Sequence, residues 1–493
     1  MARRRLSTFE RLRRGQKLSR RERKQIDRRF RAEDPGWDIV HEHVAGIDVG
    51  NESHYVAIDP KLDPQPVREF GSWTAALRET ADWLKGYGIK RVVMQTTGVY
   101  WIPLQDVLER AGFEVAVVDA RGTKNLPGRK SDVQECQWIR KLDTYGLLRD
   151  CFQLPQAMRS IRTLWRLRQR WVSEAGRAIQ QMQKALIMMN VQLANALSDI
   201  TGKTGLAIIR AIVGGEHNPW KWAALRDVRV EATEEEIANS LAGNWREDVL
   251  FELQQVLAAY DFLQKQIAEC DMQLESCMHA QPTKLARGEA ATTAATVEPA
   301  TPAKARTKRR TKEKKAKPQK NQPAFDLEAE LKRVLGVDLT RIDGIKVMTA
   351  QTVYAELGSD LSAAFPSEGH FSSWLMLAPK KDVSGGKVIR HYSVHSRNRV
   401  AHALRMAAES LHDSNSYLGA RYRSLRGRLH GLKAVKAMAR YLACLIYRML
   451  TKGEAWVDRG AAYFEQKRQE RELCHLQRRA ATMGMEVVAK KPA

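Results

Sequence analysis

At 493 residues the chain is too long for one compact core, and at roughly 100–200 residues per domain it should form two to four domains. Its 43% apolar and 28% charged residues fit a soluble, helix-rich protein. No run reaches the ~18 uncharged apolar residues that open a membrane span, because the closest, Leu442 to Leu450, is broken by Arg448.

The net charge is +25, and residues 1–34 and residues 304–320 supply +9 each. Basic arms of this kind tether a polyanion such as DNA or RNA, although a solubilising tail has the same composition. The first arm, residues 1–40, reads as a frayed basic helix, and its MARRR opening lacks the apolar core of a signal peptide. A domain over 41–154 follows. VAGIDVG and HYVAIDP read as adjacent strands joined at Gly50–Ser53, while RVVMQTT and EVAVVDA are the continuous apolar runs of buried parallel strands. WIPLQDVLERAG has helical spacing and a Gly stop, so a mixed α/β sheet flanked by helices is predicted.

Residues 155–280 carry almost no strand signal. Val249, Leu253, Val256, Tyr260, Leu263, Ile267, Cys270, Leu274 and Cys277 alternate by four and three, the seam of a long helical coiled coil. Ala175, Ile179, Met182, Leu186, Met189, Leu193 and Ala196 repeat the pattern. The two helices pack either within one chain or between subunits, and a homo-oligomer, dimer or tetramer, is the expectation. Arg159, Arg162, Arg166 and Arg170 share one helical face without interleaved acids, which suits phosphates; a solvated face has the same spacing. Residues 281–325, rich in Ala, Thr, Pro and Lys, read as a disordered basic linker. A mainly α-helical domain over 326–455 and a basic helical tail over 456–493 complete the chain. The six cysteines form no CxxC pair, which is the pattern of a reduced, cytoplasmic protein.

Asp48 ends the first strand, and Asp132 and Glu135 stand three apart in GRKSDVQECQW, on one face if that stretch is helical. Hard oxygen ligands on a strand end and a nearby helix suit magnesium or manganese in phosphoryl transfer, yet solvated carboxylates three apart are common. GIDVGNESH, MQTTGVYWIPL and DARGTKNLPGRKSDVQECQWIRKLDTYGLLR, in this order, resemble the RuvC-like DEDD domain of the insertion sequence 110 family of transposases, the Piv/MooV recombinases. The resemblance implies a ribonuclease H-like fold and a metal site of Asp48, Gln95, Asp132 and Glu135, with Arg129 and Lys130 beside it as nucleic-acid contacts. Gln95 stands where the family pattern usually has Glu, and Glu135 where Asp is commoner. Gln95 can serve as a neutral ligand, Asp119 can substitute for it, or the site is impaired; the first is the favoured expectation.

In LAPKKDVSGGKVIRHYSVHSRNRVAHALRMAA, Ser384 precedes Gly385 and Gly386, with Lys387, Arg390, Arg397 and Arg399 as nearby cations. SGG alone is an ordinary flexible turn. TRIDGIKVMTAQTVYAELGSD through VSGGK to ALRMAA, however, resembles the C-terminal transposase domain of the same family, which implies that Ser384 is a nucleophile that becomes joined to DNA. Its rivals Ser372, Ser373, Ser393 and Ser396 lack the glycine pair. The HSRNR segment departs from the family's lysine- and glycine-containing pattern, which leaves open the basic residue that meets the phosphate. RIDGIKVMTAQ has the form of a helix–hairpin–helix in which Gly344 offers backbone N–H to phosphate, or of a plain helical turn. His391 and His395 have no accompanying metal-ligand cluster and are read as locally hydrogen-bonded.

The resemblance implies a mobile-element recombinase that acts on donor and target DNA with magnesium and a serine nucleophile, guided by a structured, element-encoded RNA. Two alternatives remain: a RuvC-type junction nuclease that uses water, and an inactive nucleic-acid-binding scaffold.

Overall fold

Parallel strands need cover on both faces, and the strands that read as continuous apolar runs receive it. The computed structural model describes residues 7–13, 19–30, 36–96, 98–119, 132–216, 218–284, 321–384, 387–392, 394, 397–453 and 456–488. It divides into two compact units, Met1–Gln153 and Leu154–Ala493. In the first, β1 (Val44–Val49) and β2 (Ser53–Ala57) form the predicted antiparallel pair, and the Gly50 N–H donates to Ser53 O at 3.1 Å across the turn. Outside β2 lies β3 (Val67–Gly71), which the sequence reading did not anticipate. On the other side β4 (Arg91–Gln95) and β5 (Glu114–Val118) run parallel to β1, so the five-stranded order is β3-β2-β1-β4-β5.

Helices α3 (Thr74–Gly86) and α4 (Trp101–Arg110) cover one face, where Leu77, Leu84, Leu104 and Leu108 pack on Ile47, Val56, Val92 and Met94. On the opposite face α5 (Asp132–Thr144) sets Ile139 among Val44, Val93, Ala116 and Val118. Gly46 permits this contact, because a Cβ there would stand 2.3 Å from Cys136 O and 2.5 Å from Arg140 N. The described part of the basic arm is two short helices, α1 (Thr8–Arg13) and α2 (Arg20–Phe30), where one frayed helix was expected. Phe9 stacks on Trp37 at 4.2 Å, Trp37 meets Tyr145 at 5.8 Å, and Ile26 is buried.

One buried guanidinium ties the strands to α5. Arg91 donates to Asp143 at 2.8 Å and to Asp150 at 2.9 Å, and it also pairs with Glu114. These carboxylates raise the Arg91 pKa against the opposing effect of burial, which is the largest single influence.

In the second unit α6 (Gln156–Met188) and α7 (Glu247–His279) pack along each other within one chain. Val249, Leu253, Tyr260, Leu263, Cys270 and Leu274 of the predicted seam are buried. The other run breaks at Asn190, whose φ of 55° ends the turn after α6, so that Leu193 and Ala196 belong to a separate short helix. Inside the pair, buried Arg168 bonds buried Asp271. Residues 285–320 lie outside the described residues, and with them most of the expected linker.

Beyond them stand α8 (Leu327–Leu335), α9 (Val347–Leu357), α10 (Glu368–Trp374), the hairpin β6 (Lys380–Ser384) and β7 (Lys387–Tyr392), then α11 (Arg399–Glu409), α12 (Tyr417–Arg428), α13 (Gly431–Lys452) and α14 (Gly460–Thr482). Val353, Leu404, Met438, Leu442 and Ile446 are fully buried in this region. Among the described residues no helix is long and apolar enough to cross a membrane.

Two predictions follow from the first unit. Arg91→Met leaves the Asp143 carboxylate buried without its cation and should lower unfolding stability by about 3–5 kcal/mol in a urea titration; adding Asp143→Leu should restore most of it. His54 on β2 is 2% exposed, its Nδ1 has no hydrogen-bond partner among the described residues, and burial lowers its pKa below 6.5. The unfolded chain therefore takes up the proton first. Stability should be complete above pH 6.5 and decline as the pH falls from there through the folded value, and His54→Leu should flatten that slope in thermal melts.

Candidate functional site

Sheet register decides what meets at the C-terminal end of β1. Ile47 pairs with Met94 across the parallel β1–β4 ladder, so Asp48 and Gln95 are the next residues along adjacent strands. Both face α5, whose first turn carries Asp132 and Glu135. The Gln95 Nε2 donates to Glu135 Oε1 at 2.8 Å, and Gln95 is only 4% exposed. Cys136 lies among these acids. Burial first, and then the charges of Asp48 and Asp132, push its thiol up to about 12, so that it stays protonated and inert. Asp48 and Gln95 thus stand on adjacent strands, and Asp132 and Glu135 on the helical turn that Gln95 reaches.

The donor set is hard oxygen throughout, which suits a small divalent cation rather than a thiolate-seeking metal. Among the described residues no group of three His, Cys, Asp or Glu stands together in a form able to hold a metal ion. What joins strand to helix here is the Gln95–Glu135 hydrogen bond. A Glu at position 95 would place two like charges in that contact, whereas the amide donates to Glu135. Asp119 follows β5, and its charge raises the Cys151 thiol, after burial as the larger cause.

Two neighbours of this row were not legible in the sequence. Tyr55 is the cross-strand partner of Asp48, and Glu69 that of Tyr55, so β1, β2 and β3 present them side by side on the α5 face. The Ser53 Oγ donates to Glu69 at 2.6 Å, and the Glu69 carboxylate raises the Tyr55 phenol. Only the pairing of β3 brings Glu69 here, and β3 itself has a weak sequence signal.

In the second unit Ser384 ends β6, with Lys387 as its cross-strand partner. Arg390 donates to Asp382 at 2.8 Å. Lys387 and Arg397 are exposed. Ser372, a rival nucleophile, is fully buried with its Oγ bonded to Gly369 O. Arg129, Lys130, Gly385, Gly386, Ser393, His395 and Ser396 lie outside the described residues.

The arginine stripe on α6 is partly spent inside the fold. Arg166 makes two bonds to Glu356 of α9, at 2.8 and 2.6 Å, and Arg399 donates to Gln169 at 3.0 Å. Arg159 reaches Leu154 O at 3.0 Å. Arg162 is half-buried, and desolvation, then Arg166, lowers its pKa. Arg170 is exposed and lies over the Trp171 ring at 5.1 Å. Arg166 thus docks α6 on α9, where Trp165 Nε1 also donates to Thr352 Oγ1 at 3.2 Å. Gly344, at φ 84°, packs against α11; a Cβ there would meet Ala407 O at 2.8 Å, and the Gly344 N–H donates to Asp343 Oδ1.

A family model of DEDD-type IS110 transposases, described as a transposase, matches residues 45–190, and the model of the transposase IS116/IS110/IS902 family matches residues 338–423. No curated protein matches the chain. The first match implies a ribonuclease H-like fold, in agreement with the mixed five-stranded sheet between helices. It covers Asp48, Gln95, Asp132 and Glu135, and the second covers Ser384. With one match to each side of the chain's middle, in the order that the motifs predict, the chain belongs to the IS110 family of transposases.

Proposed function

We propose that this transposase cuts and rejoins the DNA strands of a mobile element through a covalent phosphoserine link. The observation that carries the reading is the presence of both transposase matches in one chain, one over the carboxylates and the other over Ser384. Asp48, Asp132 and Glu135 would hold magnesium or manganese, with Gln95 as neutral ligand and as the clamp on Glu135. When bound, the cation supplies Lewis-acid polarisation of the scissile phosphate.

The chain's own residues do the remaining work. Ser384 Oγ bonds to phosphorus and loses its proton to a base, while the bond from phosphorus to the departing deoxyribose oxygen breaks and that oxygen takes up a proton. Lys387, beside Ser384 across the hairpin, and Arg390, Arg397 and Arg399 are the cations assigned to the phosphate. A hydroxyl of the partner strand then attacks the phosphoserine, which restores a phosphodiester and releases the serine. Bond energy is conserved, so no nucleotide needs to be hydrolysed. A structured, element-encoded RNA would select donor and target, and the basic arm and the exposed Arg170 are suited to hold it. A homo-oligomer is the assembly proposed for the reaction.

Two experiments test this reading. In cells carrying the gene with its native flanks, wild type should leave an SDS-resistant protein–DNA adduct and Ser384→Ala none; DNA cut without an adduct in either would mean that water is the nucleophile. Gln95→Glu should lower the metal-free melting temperature, because the hydrogen bond becomes a like-charge contact, and should enlarge the thermal shift on adding magnesium. An unchanged shift would remove position 95 from the metal site.

A further inference from the structure

Helices α12, α13 and α14 build a cavity and an adjoining groove that no step of the proposed reaction uses. Tyr417, Tyr441, Trp456 and Tyr463 wall a cavity of about 380 Å³ together with Lys467 and Arg471. This volume is within the ~300–1,000 Å³ of ordinary ligand sites. The rings do not close into a core. Tyr417 stands edge-on to Trp456 at 6.2 Å and tilted to Tyr463 at 6.3 Å, and all four rings keep part of their surface open to solvent.

Cations lie against these rings: Arg421 is 4.0 Å from the centre of Tyr441, and Arg459 is 5.1 Å from that of Tyr463. The Trp456 indole N–H and the Arg421 Nε are shielded from solvent and have no hydrogen-bond partner among the described residues. Arg471 also lines the neighbouring groove of about 750 Å³, where Arg421, Arg423, Arg428 and Arg468 face Glu465 and Glu472. The groove thus adjoins the cavity at Arg471. Its α12 wall, YLGARYRSLRGR, carries four arginines and no acid.

Open aromatic faces beside rows of guanidinium groups are the requirements of unpaired nucleotides: bases stack on the rings while phosphates meet the cations. A duplex keeps its base faces covered and has no use for the rings. The two glutamates discriminate further. Glu465 is paired with Arg468 at 3.3 Å, and both carboxylates can accept hydrogen bonds from the 2′-hydroxyls of ribose, which deoxyribose lacks. We propose that this cavity and groove bind a single-stranded RNA segment, its bases on Tyr417, Trp456 and Tyr463 and its phosphates on Arg421, Arg468 and Arg471. Trp456 and α14 lie beyond residue 423, where the second family match ends, so neither match assigns this site. The site stands independently of the serine chemistry, because its test reads binding alone.

The full-length protein is irradiated with a single-stranded RNA oligonucleotide containing 4-thiouridine, and the cross-linked peptides are mapped by mass spectrometry. Cross-links should fall on the peptides that carry Trp456 and Tyr463. Tyr463→Ala and the change Arg471→Glu at an exposed position should each weaken them about tenfold while cross-links elsewhere persist, and Tyr463→Phe, which keeps the ring, should leave them in place. Arg471→Glu removes no packed group, so a loss there cannot be ascribed to unfolding. The proposal is overturned if RNA cross-links only outside this region, if the variants leave the pattern unchanged, or if single-stranded DNA or duplex RNA of the same sequence competes equally.

Discussion

The contact between Gly46 and α5 is the constraint on which the first unit's chemistry depends. Because β1 has no side chain there, the backbone of Cys136 and Arg140 can lie directly on the strand, and the first turn of α5 is carried to the end of the sheet. Asp132 and Glu135, in that first turn, owe their places to this approach. A methyl group at Gly46 would push α5 outward and move both carboxylates together.

Gln95 gives the same end of the sheet an unusual electrostatic balance. Carboxylates gathered for a cation repel one another until it arrives, and the fold must restrain them meanwhile. Here the Gln95 amide donates to the Glu135 carboxylate, so part of the restraint on Glu135 comes from the neighbouring strand.

Much of this was legible in the residues, and what was not had physical reasons. β1, β2, β4 and β5 declare themselves because they are buried, and burial demands apolar runs. β3 was missed because VREFG is an edge strand with Arg68 and Glu69 exposed, so only Val67 and Phe70 speak for it. Asp132 and Glu135 were found through their spacing on one helix, a local signal. The bond from Gln95 to Glu135 spans 40 residues, and that from Arg166 to Glu356 spans 190. No spacing rule reaches so far. The α6 arginines show the cost of that limit: the shared face was read correctly, while its occupant proved to be, for Arg166, another helix of the same chain.

The Arg168–Asp271 pair has a mechanical consequence. Sliding α7 along α6 by one turn, about 5.4 Å, would strand both charges in an apolar seam. Apolar side chains alone tolerate such slippage, since one leucine fills another's hole. A single buried charge pair does not, and it therefore acts as a latch on the register. With that latch the two 33-residue helices behave as one stiff strut. A pull at either end is passed along its length as a lever's movement rather than absorbed by creep between the helices.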